Sequence, residues 1–233
     1  MNLEIHVRPT ADEAAREAAE QLARAAAGGG ALALAGGSTP RRAYELAAEI
    51  EPDWRSASVW WGDERCVPPD DLRSNYLLAQ RALLSRLRHE PAVHRIRGEL
   101  GPDEAAADYD RELNGVTLDL VLLGIGPDGH TASLFPYAPA LAERSRRAVP
   151  AEPGLEPFVP RVTLTVPTLS AAGEVLFLAA GAEKARAVRR AFGGDPGPDS
   201  PASLVRSESG TTLVVLDAEA AAGLDAESRS PFK

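Results

Sequence analysis

Short apolar runs recur along this chain, and each gives way at once to a turn or to charged residues. ALALA (31–35), ASVWW (57–61), LDLVLLG (118–124), RVTLT (161–165), VLFLAAG (175–181) and TTLVVLD (211–217) all read as strands. The third has no polar residue after Asp119, the mark of a strand buried on both faces. Helical stretches lie between them. Thr10 and Glu13 form a capping box before an Ala-rich helix that runs to about Ala27, where three glycines stop it. Pro40 suits the first position of a helix that runs to about Ile50, and Pro52 ends it. Further helices are predicted from about Asn75 to Leu87, from Pro102 to about Leu113 and from about Ala182 to Phe192, with a short Ala-rich one after Asp217. Residues 62–74 and 193–201 read as loops, 126–136 as a loop into a short helical turn, and the Pro-rich 137–160 as irregular. Alternating strands and helices predict an α/β fold, a mostly parallel sheet with helices on both faces. No shift in composition and no repeat divides the chain, so 1–233 reads as a single domain.

Composition removes several classes of function. The chain of 233 residues carries 25 Lys+Arg against 34 Asp+Glu, a net charge of −9, which argues against a general nucleic-acid binder. No apolar run is long enough for a membrane span, and the N-terminus lacks the basic start and apolar stretch of a secretory signal. A single cysteine, Cys66, excludes an internal disulfide and a Cys-based zinc site. His6, His89 and His94 lack the spacing of metal ligands, so no metal is expected. A cytoplasmic protein is the expectation. A chain of this size can bury about 70% of its unfolded surface without such staples.

In parallel sheets ligands bind beyond the C-terminal strand ends, so the residues that follow each strand bear the functional reading. After ALALA comes GGSTP (36–40). A Gly-Gly turn into a helix bares backbone N–H groups, and with the helix dipole and the hydroxyls of Ser38 and Thr39 it suits a phosphate. A tight turn capped by Ser or Thr is the other reading. After ASVWW come Asp63, Glu64 and Arg65. Arg65 can hold a phosphate or carboxylate, stabilise an oxyanion, or belong to a solvated charged loop.

After LDLVLLG comes GIGPDGHTASLFP. Residues 124–129 spell G-x-G-x-x-G, but no proper helix and no second strand with an acidic end follow, so a dinucleotide site is not expected. The segment instead turns sharply and sets Asp128 and His130 at a strand end. A histidine there can take a proton from water, with the carboxylate to orient it, or can be a hydrogen-bonded loop residue. Ser133 sits in no G-x-S-x-G elbow and is not read as a nucleophile. Lys184 lies in the first turn of a helix, where a cation opposes the dipole, which makes ligand contact a stronger reading than for an arbitrary surface lysine; a solvated lysine is the other reading.

Taken together, AGGSTP (35–40), WWGDER (60–65) with SNYLL (74–78), LLGIGPDGHTASLFP (122–136), PRVTLT (160–165), AGAEKARAV (180–188) and PASLVR (201–206) resemble the 6-phosphogluconolactonase family in order and spacing. The resemblance implies a Rossmann-like fold shared with glucosamine-6-phosphate deaminases and, more distantly, ribose-5-phosphate isomerases. It implies hydrolysis of 6-phosphoglucono-δ-lactone, the second step of the oxidative pentose phosphate pathway, with no metal or organic cofactor. The implied partner is a small phosphorylated sugar lactone, with no nucleic acid and no membrane, in a monomer or weak homo-oligomer. His130, Asp128 and Arg65 are the implied catalytic group. Gly36, Gly37, Ser38, Thr39, Asp63, Asn75, Gly129, Arg161 and Lys184 are the implied substrate contacts. Deaminases read GxGxDGHIAFNEP, with a Glu that serves the His. This chain has Leu134-Phe135 there, and GDER where deaminases tend to have MDEY, which favours lactone hydrolysis. A deaminase or isomerase of amino-sugar phosphates and a non-catalytic sugar-phosphate sensor are the alternatives. The C-terminal tail, about 223–233, is expected to fray.

Overall fold

The computed structural model describes residues 2–224. The tail expectation therefore lies, apart from its first two residues, outside the described residues.

The chain opens with β1 (Asn2–Arg8), α1 (Ala11–Ala27) and β2 (Ala31–Leu34). The capping box at α1 forms as read: the Glu13 N–H donates to Thr10 Oγ1 at 3.2 Å, and the Thr10 N–H donates to Glu13 Oε2 at 3.0 Å. Next come α2 (Ser38–Ile50), β3 (Ser58–Trp61), β4 (Asp63–Arg65), α3 (Asn75–Ala82) and the two-residue β5 (Ala92–Val93). The second half holds α4 (Pro102–Glu112), β6 (Leu120–Leu123), β7 (Ala148–Ala151), β8 (Arg161–Leu164), α5 (Val166–Ser170), β9 (Glu174–Ala179), α6 (Ala185–Phe192) and β10 (Thr211–Asp217).

Seven strands form one parallel sheet in the order β1-β10-β9-β6-β2-β3-β5. Every residue of β6 is buried. Because successive side chains point to opposite faces, both faces of the sheet are covered. α1 packs beside α2 and against β9 and β10, and Phe192 of α6 meets Phe177 of β9 edge-on at 5.1 Å. From β2 the chain proceeds outward to β3 and β5, then returns to β6 on the other side of β2. That reversal opens a crevice beyond the C-terminal ends of β2 and β6.

A second sheet, β4-β8-β7, is antiparallel. Gly62 hands the chain from one sheet to the other. Its N–H donates to Leu34 O at 2.9 Å, and its carbonyl accepts from the Leu164 N–H at 2.8 Å.

The structure corrects the sequence reading in several places. Residues 137–160 are not wholly irregular, since β7 forms within them, and the loop read at 62–74 contains β4. Both strands exist through pairing with β8, and no local apolar run announces either of them. β1 was not foreseen; it is an edge strand, mostly half-exposed, matched residue for residue to β10. α2 begins at Ser38, two residues before Pro40. α3 ends at Ala82 and a 3₁₀ turn follows at Leu84–Arg86. The expected helical turn in 126–136 is a tight non-helical loop, with Thr131 and Leu134 bridged and Ala132 at φ 48°.

Candidate active site

A cleft of about 330 Å³ opens at the reversal of strand order. One wall is the turn from β2 into α2. The fully buried Tyr44 of α2 clamps the end of β2: its hydroxyl accepts from the Ala35 N–H at 2.8 Å and donates to Ala35 O at 2.6 Å. Gly37 follows at φ 105° and is the helix N-cap, a backbone conformation that suits glycine. Ser38 and Thr39 occupy the first two helical positions, where N–H groups have no intrahelical acceptor. With the Gly37 N–H they form a row of donors backed by the helix dipole.

The opposite wall is the His130 loop. His130 Nδ1 lies 2.6 Å from Asp128 Oδ1, and the same oxygen accepts the His130 N–H at 3.1 Å. Burial pushes the Asp128 carboxyl upward, but hydrogen bonds and charge from His130 outweigh it and hold the group below its ordinary value. With Nδ1 donating to this carboxylate, Nε2 is the ring nitrogen left to act as a base. Gly126 makes room for the ring, because a Cβ there would stand 2.0 Å from His130 Nδ1. The Phe135 ring packs against the His130 ring with centroids 4.6 Å apart, at the position where the deaminase motif has its Glu.

The floor carries positive charge. Arg65 of β4 and Arg161 of β8 are direct cross-strand partners, and both line the cleft. Like charges at such positions repel. Neither makes an ion pair among the described residues, and the Nε of each is buried without a partner. Arg161 is 3% exposed, donates to Leu155 O and Pro157 O, and lies over the Phe135 ring at 5.4 Å. Burial lowers its pKa, with Asp63 opposing and Arg65 reinforcing the shift. Two opposed guanidiniums with unused donors are arranged for an anion. Lys184, just after Gly181 (φ 98°), faces the same cleft.

Most residues named from sequence therefore meet here: Gly36 to Thr39, Arg65, His130, Arg161 and Lys184 all line one cleft. Asp128 stands behind His130. Gly129 is not in the lining; at φ 94° it packs against Ser200, where a Cβ would meet Oγ at 2.8 Å. Asp63 and Asn75 line the cleft but bond chiefly to protein neighbours. Asp63 Oδ2 accepts from Ser133 Oγ at 2.6 Å, and Asn75 Nδ2 donates to Asp63 O at 2.8 Å.

Sequence reasoning passed over Glu64. It is 3% exposed and accepts from the N–H groups of Arg65, Asn75 and Tyr76 and from Ser74 Oγ, which pins the start of α3 to β4. Burial pushes its carboxyl up despite these donors. An acid ahead of the S-N-Y helix start was the available signal. Cys66 is half-buried, and burial with the charges of Glu64 and Asp103 pushes its thiol up to about 11.

Fold and cleft together define a class: a parallel α/β protein with a cation-lined cleft at the reversal of its strand order. A family model described as glucosamine-6-phosphate isomerases/6-phosphogluconolactonase matches residues 7–214, and the chain belongs to that family. It is 41% identical over 194 residues to the 6-phosphogluconolactonase of Homo sapiens, covering 78% of this chain and 75% of that one. It is 39% identical over 203 residues to that of Nostoc sp., covering 81% and 82%. The crystal structure of 6-phosphogluconolactonase from Leishmania guyanensis aligns with a TM-score of 0.86 at 29% identity, over 97% of this chain and 100% of that one. A monomeric glucosamine-6-phosphate deaminase, 21% identical with a TM-score of 0.82 over 96% of this chain and all of its own, shares the fold.

Proposed function

We propose that this protein hydrolyses 6-phospho-D-glucono-1,5-lactone to 6-phospho-D-gluconate. The observation that carries the reading is the company His130 keeps. A histidine oriented by a carboxylate shares one cleft with unpaired cations and free helix N-terminal N–H groups. Its named relatives supply the substrate.

In this reading the 6-phosphate docks on the N–H groups and hydroxyls of Gly37, Ser38 and Thr39, and Arg161 and Lys184 neutralise it. Asp128 is a positioning residue that fixes the tautomer and angle of His130. His130 Nε2 takes a proton as a water oxygen bonds to the lactone carbonyl carbon. Arg65 stabilises the resulting oxyanion. The intermediate collapses by breaking the bond from that carbon to the ring oxygen, which receives the proton from His130. The products are a carboxyl group, which ionises, and a free hydroxyl. All these residues come from one chain, so a monomer or weak homo-oligomer suffices. The anionic substrate does not cross membranes unaided, which fits action in the cytoplasm.

The test is a coupled assay in which glucose-6-phosphate oxidation generates the lactone and 6-phosphogluconate formation is followed. His130→Ala is expected to lower kcat by about 10²–10⁴-fold while inhibition by inorganic phosphate persists. Acceleration that survives in the mutant would retain the activity and remove His130 from the mechanism. A wild-type rate equal to the spontaneous one would overturn the reading.

A further inference from the structure

Asp63 sits on the cleft wall and reads from sequence as a substrate contact, yet its bonding turns the other way. It is 6% exposed and forms no ion pair among the described residues. One carboxylate oxygen accepts from Ser133 Oγ at 2.6 Å; the other accepts from Asn75 Nδ2 at 3.1 Å. The Asp63 carbonyl accepts from the same nitrogen at 2.8 Å. Both partners of that nitrogen are pure acceptors, so the Asn75 amide has one orientation. Its Oδ1 is then directed beneath Gly36, where a Cβ would stand 1.9 Å away, and it is shielded from solvent.

Ser133 is fully buried, and its N–H donates to Thr163 Oγ1 at 3.2 Å. Thr163 is the cross-strand partner of Asp63. Two adjacent strands thus clasp the chain three residues beyond His130. Between them lies Ala132 at φ 48°, a left-handed conformation that costs a non-glycine residue about 1 kcal/mol or more. The clasp holds that conformation, and the conformation sets where the His130 ring lies.

We propose that Asp63 is a positioning residue for His130, acting through Ser133, and not a substrate contact. Asn75 occupies the other oxygen of the same carboxylate, so the two oxygens are divided between Asn75 and Ser133. The inference rests on the proposed lactonase activity.

The test compares Asp63→Asn, Ser133→Ala and the double variant. An asparagine at 63 offers one side-chain acceptor to two donors. Each single variant is expected to lose about 10–10²-fold in kcat, the cost of a base displaced by up to about 1 Å. KM and inhibition by inorganic phosphate should stay within about twofold, and the double variant should be no worse than the weaker single one. A raised KM with intact kcat in Asp63→Asn would restore the substrate contact. Multiplied losses, or wild-type kcat in Ser133→Ala, would equally overturn the proposal. If Asp63→Asn does not fold, Ser133→Ala decides alone, because it keeps the carboxylate and removes the link. If the wild-type protein hydrolyses no lactone, the activity reading fails instead. The clasp is then judged by the His130 imidazole NMR resonance in Ser133→Ala, which shifts if the clasp positions the ring and stays if it does not.

Discussion

Replacing Gly126 by alanine is a one-carbon perturbation aimed at the base. The new Cβ would lie 2.0 Å from His130 Nδ1, 2.1 Å from Cε1 and 2.8 Å from Asp128 Oδ1. Ordinary contact begins at 3.4 Å, so the ring must retreat by about 1.4 Å. That movement breaks the 2.6 Å bond to Asp128 and disturbs the contact of the ring with Phe135 at 4.6 Å. Gly126 is not among the positive-φ glycines, so alanine adds no backbone strain of its own. A displacement of about 1 Å costs on the order of 10² in rate, or about 2.7 kcal/mol of barrier. The expected result is kcat down about 10²-fold with KM held within a few-fold, read in the coupled lactone assay. Circular dichroism and a melting curve check that the fold is kept. Wild-type kcat in a folded Gly126→Ala protein would refute the argument that His130 works from this position.

Other expectations follow from the same geometry. Arg161→Ala should raise KM by about 10–10²-fold, the loss of charge-assisted hydrogen bonds worth about 1.5–3 kcal/mol; an unchanged KM with collapsed kcat would move Arg161 into the chemistry. Glu17 of α1 accepts from Arg8 Nε at 2.5 Å and lies 2.6 Å from His6 Nδ1, tying the edge strand β1 to the helix. Burial pushes its carboxyl up, but the bonds from Arg8 and His6 prevail and hold it below the usual glutamate range. A group depressed in the fold stabilises it above the unfolded pKa and loses that contribution as pH falls through the folded value. Urea midpoints should therefore decline through the acidic range, and Glu17→Gln should flatten that decline while lowering stability at neutral pH. An unchanged slope would refute the assignment. Cys66, with its thiol pushed up to about 11, should resist iodoacetamide at pH 8 in the native protein and react readily in urea. Rapid native alkylation would contradict its packing.

The strands beneath the cleft were legible because β2, β3, β6, β9 and β10 are buried and short, and local apolar runs mark them without reference to anything distant. The loops that end β2 and β6 were legible for a related reason. Gly36-Gly37 and Gly126-Pro127-Asp128-Gly129-His130 state their own backbone needs, so both loops stood out as candidate sites, while the roles proposed for them, phosphate binding and proton transfer, rested on the family resemblance. β1 was not legible. NLEIHVR has only one buried position, Ile5, and is a strand because β10 lies beside it. β4 is three charged residues, and nothing local marks DER as a strand; pairing with β8 makes it one. That same register sets Arg65 opposite Arg161, and it brings Asp63 and Thr163 together around Ser133, which is 70 residues from Asp63. Periodicity along a chain records which side chains face a core, and such a record needs only near neighbours. Which unpaired guanidinium faces which, and whether a carboxylate points to substrate or to a serine behind it, depends on pairing between distant segments, and that exists only once the chain has closed on itself.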